Sequence, residues 1–258
     1  MDTMLLYEFE GKKLFKSCGI EVPASQLIDS PGTEITLKTP LVLKAQVLSG
    51  KRSEGGGILK VDSEQALKEQ LKKLFGSTVN GEKVEKILVE EAVDIEKEYY
   101  LSFSYSTESR GSVMSFGEGG TGAEEKGAKT YPVDILAGYN GENVPAELKE
   151  TAKKLWEVFL KYDCELAEIN PLAVDGKGEV WALDAKIILD DEADFRREEK
   201  FPERNTFGRS PTTAEIEARK IDEGDHRGTA GSVYWDLQDG DIAVIAAGGG
   251  GSIVNMDA

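Results

Sequence analysis

The sequence predicts an α/β protein of the α+β type, in which antiparallel hairpins alternate with amphipathic helices. Two observations carry this prediction. Runs rich in branched and aromatic residues, such as 40–48 and 86–92, are bounded by glycine, proline or charged residues, as strands are. Between such runs, apolar residues recur at helical spacing, most clearly over 148–160. The 258 residues suffice for one large domain or two modest ones with a sizeable core.

The first part of the chain predicts two helices and three strands. A helix over 7–18 has its apolar stripe stopped by Gly19, and a second helix over 63–75 is capped by Asp62 or Ser63. Strands are predicted at 40–48 and 58–61, forming a hairpin whose long tip is the glycine-rich stretch 50–57, and at 86–92.

The second part predicts two hairpins and one strong helix. Strands at 99–106 and 112–116 precede a glycine-rich, mobile loop at 117–129. A helix opens at Pro145. Its predicted apolar stripe is Leu148, Ala152, Leu155, Trp156, Phe159 and Leu160. A hairpin of 165–174 and 179–189 follows.

The last part predicts a charged linker over 190–227 with one short helix at 213–221. Residues 241–247 predict a fresh buried strand, followed by glycines. A βα unit is thus begun but not finished, and we interpret this as a truncated second domain.

Composition limits the function classes. A net charge of −17 and a pI of about 4.6 disfavour nucleic acid as a partner, because most of this surface repels phosphate. Cys18 and Cys164 have no metal-site spacing and predict reduced thiols. The sequence shows no signal peptide and no apolar run long enough to span a membrane, so we expect a cytoplasmic protein without a membrane partner.

The hairpin over 165–189 carries a candidate metal site. A three-residue loop at 176–178 pairs residue 175 with 179, and therefore Asn170 with Asp184. Their Cβ atoms are then roughly 5 Å apart, and Glu168 points the same way as Asn170. Two hard oxygen ligands at that separation can share one Mg²⁺. The alternative is an ordinary polar face of an exposed hairpin.

A candidate phosphate site lies in the first hairpin. Lys44 sits mid-strand in an apolar run, where a charge must find an anion. Arg52 follows in the glycine-rich tip that begins at Gly50, and backbone N–H groups there would complete a cradle for phosphates. The alternative is that the Lys44 stem packs while its ammonium reaches water.

Weaker signals surround these two sites. Glu90 ends a strand whose following main chain could meet an adenine edge, and Glu98 heads the next strand. Either carboxylate could instead be simply solvated. Residues 117–122 fit G-x-G-x-x-G formally, but no helix follows, so we reject a dinucleotide fingerprint.

Together these segments resemble the ATP-grasp region of the succinyl-CoA synthetase β-subunit and ATP-citrate lyase family. The resemblance covers roughly residues 4–190, in family order. The matching stretches are LLYEFEGKKLFKSCGI, VLKAQV with the glycine-rich tip, KILVEEAVDIEKEYYLS, GEGG, and AEINPLAV with LDAK.

The resemblance implies an ATP-grasp fold of two lobes over 4–235, with a smaller lobe at about 23–105, followed by an unfinished CoA-ligase-type domain at 236–258. It implies Mg²⁺ and ATP or ADP as cofactors. It assigns nucleotide binding to Lys44, Gly50, Arg52, Glu90 and Glu98, and the metal to Asn170 and Asp184.

Family members phosphorylate a histidine, pass the phosphoryl group to a carboxylate and capture the product with CoA. The histidine at 226 is predicted to be a surface residue, so no catalytic residue is expected in this chain. A partner subunit or a C-terminal region would supply the phospho-histidine and the CoA site.

The substrate is expected to be a small carboxylate. Phe207–Arg209 and the glycine run at 248–252 resemble citrate enzymes more than succinate enzymes. The latter run assigns a substrate carboxylate to Gly249, Gly250, Gly251 and Ser252, although a plain βα turn is equally consistent. The alternatives are a succinate–CoA ligase β subunit and a non-catalytic nucleotide-binding regulatory module.

Overall fold

The fold was obtained as a computed structural model, which describes residues 3–120, 127–202 and 212–220, together with Tyr234 and Asp236. The chain divides into two compact units, of which the first comprises Met1–Pro202 with Thr206–Gly208. Within the described residues of that unit, the strands are β1 Thr3–Leu5, β2 Ser25–Ile28, β3 Leu41–Ala45, β4 Ile58–Val61, β5 Thr78–Val79, β6 Glu82–Lys83, β7 Ile87–Glu91, β8 Ile95–Ser106, β9 Gly111–Glu118, β10 Lys129–Pro132, β11 Cys164–Asp175, β12 Val180–Ala182 and β13 Lys186–Asp190. The helices are α1 Glu8–Ser17, α2 Glu64–Leu74 and α3 Lys149–Lys161, with short 3-10 turns at Ala146–Leu148 and Asp191–Arg196.

A seven-stranded antiparallel sheet forms the larger lobe. Its order is β1-β13-β11-β8-β9-β10, with β12 also paired to β11. Helices α1 and α3 cover one face, because alternate strand residues such as Phe103 and Ile169 point into the same core as Phe15 and Phe159. The other face carries polar residues of β8 and β11, and part of it belongs to the site described below.

A four-stranded antiparallel sheet forms the smaller lobe, in the order β2-β7-β3-β4. Helix α2 packs on one face through Leu67, Leu71 and Leu74. The helix begins where the Ser63 hydroxyl accepts a hydrogen bond from the Ala66 N–H at 3.3 Å, as the sequence predicts for an N-cap. The opposite face of this sheet is turned away from α2.

The predicted elements are largely confirmed, with three differences. Leu160 is 40% exposed and is not part of the α3 stripe, where the buried Val158 takes its place. The second strand of the long hairpin is divided into β12 and β13. Strand β8, which the expected smaller lobe of about 23–105 includes, pairs with β9 and β11 in the larger sheet. The smaller sheet itself ends at Glu91.

The described part of the second unit contains helix α4, Thr213–Lys220, close to the helix predicted at 213–221. Its N-terminal turn is closed by Glu215, whose carboxylate accepts a hydrogen bond from the Thr212 N–H at 2.7 Å. The predicted strand at 241–247, His226 and residues 121–126 of the predicted mobile loop lie outside the described residues. The domain boundary at 235–236 stays a prediction. No described helix is both long and apolar enough to cross a membrane.

Candidate functional site

Helix α1 is held unusually close to the long hairpin. A Cβ atom on Gly11 would lie 2.9 Å from the Cβ of Ala185, so any larger residue would push the helix outward. Glu8 and Lys12 are four residues apart and share the helix face beside this contact, with Lys12 Nζ 2.8 Å from Glu8 Oε1. Because residue 11 is glycine, α1 lies close enough to the hairpin for Glu8 and Lys12 to reach the space between the two lobes.

Lys44 and Glu90 reach the same space from the smaller lobe. They lie on adjacent strands, with Lys44 opposite Leu88 and Glu90 opposite Val42, so both point to the face that α2 leaves uncovered. Lys44 Nζ donates to Glu90 Oε1 at 2.7 Å and to Glu8 Oε1 at 3.0 Å. It also donates to the backbone carbonyl of Leu183.

Arg52 joins the glycine-rich tip to the hairpin. Its Nη2 donates to Asp184 Oδ1 at 2.6 Å, and its Nη1 lies 2.7 Å from Glu8 Oε2. The same Nη1 donates to the Ala45 carbonyl at 3.2 Å, which fixes the guanidinium against the end of β3. A planar fork with several donors suits this bridging position between two carboxylates.

These six side chains form one neutral group, here named the buried ionic cluster: Glu8, Lys12, Lys44, Arg52, Glu90 and Asp184. Three are cations and three are carboxylates. Five are at most 9% exposed, and only the Asp184 side chain, at 30%, opens to solvent. Glu8, Lys12 and Asp184 come from the larger lobe and the other three from the smaller, so the cluster joins the lobes.

The mutual pairing decides the protonation state of the cluster. Burial by itself would raise the pKa of Glu8, but Lys12, Lys44 and Arg52 hold that pKa well below its ordinary value. Burial likewise would lower the pKa of Lys44, whereas Glu8 and Glu90 raise it above the ordinary lysine value. Both groups are therefore charged at neutral pH.

The hairpin has the register that the sequence predicts. Glu168 pairs with Lys186 and Leu172 with Ala182, so Asn170 and Asp184 fall opposite one another in the irregular stretch between the two ladders. Gly178 has a φ of +82°, the left-handed conformation expected at that loop position.

Asn170 lies beside the residues that directly follow β9. Its Oδ1 accepts a hydrogen bond from the Gly120 N–H at 2.9 Å. Glu98 is exposed and lies beside the same glycine, since a Cβ on Gly120 would come within 3.1 Å of Glu98 Oε2. Glu98, Gly120 and Asn170 thus form a polar edge of the larger lobe.

Glu168 is buried on the same sheet face as Asn170. It accepts a hydrogen bond from the Tyr100 hydroxyl at 3.0 Å, and both residues are nearly inaccessible to solvent. The polar face of this hairpin is therefore only partly exposed, which is not the ordinary solvated face that was the alternative interpretation.

The donor chemistry at the hairpin fits a magnesium ion that carries a nucleotide. Magnesium in proteins is bound by one or two carboxylates together with substrate phosphates and water. Asn170 and Asp184 offer an amide oxygen and a carboxylate from opposed positions. Within the described residues there is no group of three or more His, Cys, Asp or Glu that could hold a metal alone.

The structure changes the interpretation of one predicted nucleotide contact, Glu90, whereas the role of Gly50 stays a prediction. Glu90 is 2% exposed and paired with Lys12 and Lys44, so its carboxylate is not open to a ribose hydroxyl. Gly50 lies at an open cavity of about 480 Å³, and its carbonyl accepts a hydrogen bond from Asn80 at 2.7 Å. The substrate residues predicted at 249–252 lie outside the described residues.

Sequence reasoning missed Glu8 and Lys12. Their signal was present, because an acidic and a basic residue four apart flank Gly11 on a helix with an otherwise apolar stripe. What the pattern could not reveal is that this helix face meets the second lobe.

A second cleft of about 460 Å³ lies against the segment that connects the two lobes. Its lining residues are Pro23, Ala24, Glu91, Ala92, Val93, Asp94, Asp175, Gly176, Lys177, Glu179 and Trp181. Four carboxylates face one lysine here, so the cleft repels phosphate but could accept an uncharged, flat group beside Trp181.

Comparisons with known proteins agree on one family. The ATP-grasp domain family matches residues 5–140. The β subunit of succinate–CoA ligase (ADP-forming) from Desulfurococcus amylolyticus is 35% identical over 98% of this chain and 70% of its own length. The corresponding subunit from Methanocaldococcus jannaschii is also 35% identical, with the same coverage.

Solved structures give the same picture at greater distance. The ATP citrate lyase of Methanothrix soehngenii, in complex with citrate and coenzyme A, matches with a TM-score of 0.65 and 25% identity over 86% of this chain. The chain spans 60% of the length of that lyase chain. A dinucleotide-forming acetyl-coenzyme A synthetase of Ca. Korarchaeum cryptofilum, at 22% identity and a TM-score of 0.58, shares the fold.

Proposed function

The chain belongs to the ATP-grasp family of CoA ligases, close to the succinate–CoA ligase β subunits, and on that premise we propose that it binds ATP with Mg²⁺ and phosphorylates a histidine supplied elsewhere. The observation that carries this proposal is the meeting of Lys44 and Arg52 with Asp184 between two lobes. Two cations beside a candidate metal ligand provide the charges that a metal-bound polyphosphate requires.

In this proposal the two lobes have different tasks. Lys44 and Arg52 bind phosphate oxygens, and Asn170 and Asp184 hold the magnesium ion. A magnesium ion held by these two residues would neutralise phosphate charge, which favours phosphoryl transfer. We propose that Glu98 and the connecting segment at 91–94 contact the ribose and the base.

The chain needs further parts to complete such a reaction. A histidine that carries the phosphoryl group and a site for CoA would come from a partner subunit or from a further region of the chain. His226 is not proposed for that role, because it falls in the predicted linker rather than beside the nucleotide residues. We keep the cytoplasm as the proposed location.

The proposed substrate is a small carboxylate, and the observations divide between succinate and citrate. The sequence relatives are named for succinate, at 35% identity over nearly the whole chain. The runs at 207–209 and 248–252 favour citrate, as does the match to an ATP citrate lyase at 25% identity. CoA-dependent ADP formation, measured with citrate and succinate in parallel after the histidine-bearing part is added, would separate the two acids.

The nucleotide site is tested by Asp184→Ala, with Asp62→Ala as a matched control that removes an exposed carboxylate from the smaller lobe. We expect the Kd for ADP in Mg²⁺ to rise about tenfold or more in the first variant, since a contact to a charged group is lost, and to stay unchanged in the second. With EDTA the two variants should bind ADP alike. Calorimetry measures the Kd for ADP with Mg²⁺ and with EDTA. If Mg²⁺ strengthens ADP binding in Asp184→Ala as much as in the wild type, Asp184 is not part of the metal site.

The enzyme proposal is tested separately from binding. ATP labelled in its γ-phosphate is added to the chain together with a histidine-bearing partner, and phosphohistidine is measured as acid-labile, base-stable label. Label that depends on this chain supports a ligase. Tight ADP binding without any label would favour a non-catalytic nucleotide-binding module.

A further inference from the structure

Lys44 has no ammonium donor left for a phosphate in the arrangement described above. A lysine ammonium has three N–H donors. Those of Lys44 go to Glu8, to Glu90 and to the backbone carbonyl of Leu183. A phosphate can be bound by Lys44 only if at least one of these acceptors is given up.

Lys12 donates to the same three groups. Its Nζ lies 2.8 Å from Glu8 Oε1, contacts Glu90 through the other carboxylate oxygen, and donates to the Leu183 carbonyl at 2.8 Å. Every acceptor of Lys44 is therefore held by a second ammonium. Burial lowers the pKa of Lys12, and the neighbouring Lys44 lowers it further, so the two cations compete for this position.

The two lysines differ in how they could move. Lys12 is 3% exposed in its side chain and is held by α1, whose approach to the hairpin Gly11 permits. Lys44 is 8% exposed in its side chain, and the charge of the partly open Asp184 acts on it, whereas Lys12 has no such neighbour among its main electrostatic partners. Lys44 is thus the one that can turn outward while Lys12 stays in place.

We propose that Lys12 is a positioning residue for nucleotide binding, which keeps Glu8, Glu90 and the Leu183 carbonyl paired while Lys44 turns to a nucleotide phosphate. The inference rests on the proposed nucleotide site and specifies how that site becomes available. Without Lys12, the departure of Lys44 would leave Glu90 without a cation and Glu8 with Arg52 alone. A buried carboxylate without a partner is strongly unfavourable, so Lys44 would stay where it is.

The test compares Lys12→Met with Lys13→Met in the full 258-residue chain. Both remove one positive charge from α1, but Lys13 is 69% exposed in its side chain and pairs with Glu199 at the surface. Calorimetry measures the Kd for ADP in Mg²⁺ and the Kd for adenosine, which lacks the phosphates.

We expect Lys12→Met to raise the Kd for ADP about tenfold and the Kd for adenosine less than about twofold. Lys13→Met should change neither by more than about twofold, since an exposed pair contributes little. Lys12→Arg keeps the charge and the donors in a different geometry, and should lose less ADP affinity than Lys12→Met.

Two results would overturn the inference. One is ADP affinity in Lys12→Met within about twofold of the wild type, and the other is an equal loss for ADP and adenosine, which indicates only a structural role. If Lys12→Met does not fold, Lys12→Gln, which keeps two N–H donors without the charge, is judged by the same criterion. Wild-type chain that binds no ADP at all would instead overturn the proposed function.

Discussion

The buried ionic cluster and the ion pairs at the surface use the same kinds of side chain at the same distances. At the surface, Lys13 pairs with Glu199 at 2.5 Å, Arg196 with Asp163 at 2.5 Å, and Lys200 with Asp194 at 2.8 Å. The ion pairs of the cluster span similar lengths. The two regions differ in solvent, because the surface cations are more than half exposed and those of the cluster at most 9%.

This difference determines what each region contributes. In water, an ion pair stabilises little, because both charges are already solvated. In the cluster each charge has lost its water and depends on its neighbours, so removing one member leaves the others unsatisfied. The cluster therefore fixes how the lobes meet, whereas the surface pairs can be changed freely.

The largest expected effect comes from Glu8, which contacts three cations. We expect Glu8→Ala to lower the free energy of unfolding by about 3–5 kcal/mol, the usual result of breaking a buried pair from one side. Urea denaturation measures this. Glu199→Ala is the surface control and should change it by less than about 1 kcal/mol; equal effects in the two variants would contradict the distinction between the regions.

A smaller loss is expected from Arg52→Lys. The charge is kept, but one ammonium cannot reach Glu8, Asp184 and the Ala45 carbonyl in the same geometry as the planar guanidinium. We expect about 1–3 kcal/mol of destabilisation, the cost of leaving a buried acceptor unpaired. The matching exchange at the surface, Arg196→Lys, should be nearly neutral, and a neutral Arg52→Lys would show that the bridge is not needed.

The dependence of the free energy of unfolding on acidic pH should distinguish the cluster from the surface pairs further. Glu8 has a pKa below its ordinary value in the fold, so its contribution is present above the unfolded pKa and is lost as pH falls through the folded pKa. The stability gap between wild type and Glu8→Gln should be full at neutral pH and narrow below the ordinary value of 4.5. Chemical denaturation along a pH series measures it.

The surface counterpart in that series is Asp194, whose pKa is lowered chiefly by the hydrogen bond from Lys200. Asp194→Asn removes a charge that water already solvates. We expect its curve to follow the wild type closely through the acid range, and a gap as wide as that of Glu8→Gln would be evidence against the comparison.

The smallest expected effect is that of salt on the destabilisation caused by removing a surface ion pair. Arg196→Ala removes an exposed pair with Asp163, and its small cost should vanish at 1 M NaCl, where charges are screened over roughly 3 Å. The cost of Glu8→Ala should persist, because ions do not enter the cluster. Melting curves at low and high salt make this comparison, and a salt-sensitive Glu8→Ala would place the cluster in contact with solvent.

Much of the fold was predictable because its signals are local. The Ser63 cap, the register of the hairpin through Gly178 and the stripe of α3 all depend on neighbours within a few residues. The short strands β1, β2, β5 and β6 and the position of β8 were not predicted. Strands β1 and β2 and the placement of β8 depend on pairing with distant strands, which a local pattern does not contain. Strands β5 and β6 instead pair with each other across the turn Asn80-Gly81, a local hairpin signal that was missed.

The candidate site likewise contains some residues that local patterns predict and others that they do not. Lys44 could be predicted because a charge in an apolar run needs a partner, Arg52 because it follows in the glycine-rich tip, and Asp184 because the hairpin register sets it opposite Asn170. The structure brings Lys44, Arg52 and Asp184 together. Glu90 was expected at a ribose but is buried between lysines. Glu8 and Lys12 acquire their roles only through the packing of α1 against the hairpin, which lies about 170 residues away in sequence.

The pairing of β1 with β13 has a consequence for synthesis on the ribosome. Thr3 is aligned with Asp190, so the edge of the larger sheet cannot form until nearly 190 residues have been made. At 5–20 residues per second, the nascent chain carries this segment unpaired for roughly 10–40 s. Helix α1 follows β1 directly, so Glu8 and Lys12 also reach their final positions only after β13 has been made. The residues of β1 and α1 thus take their places only long after their own synthesis, and the buried ionic cluster is completed only when the unit is nearly whole.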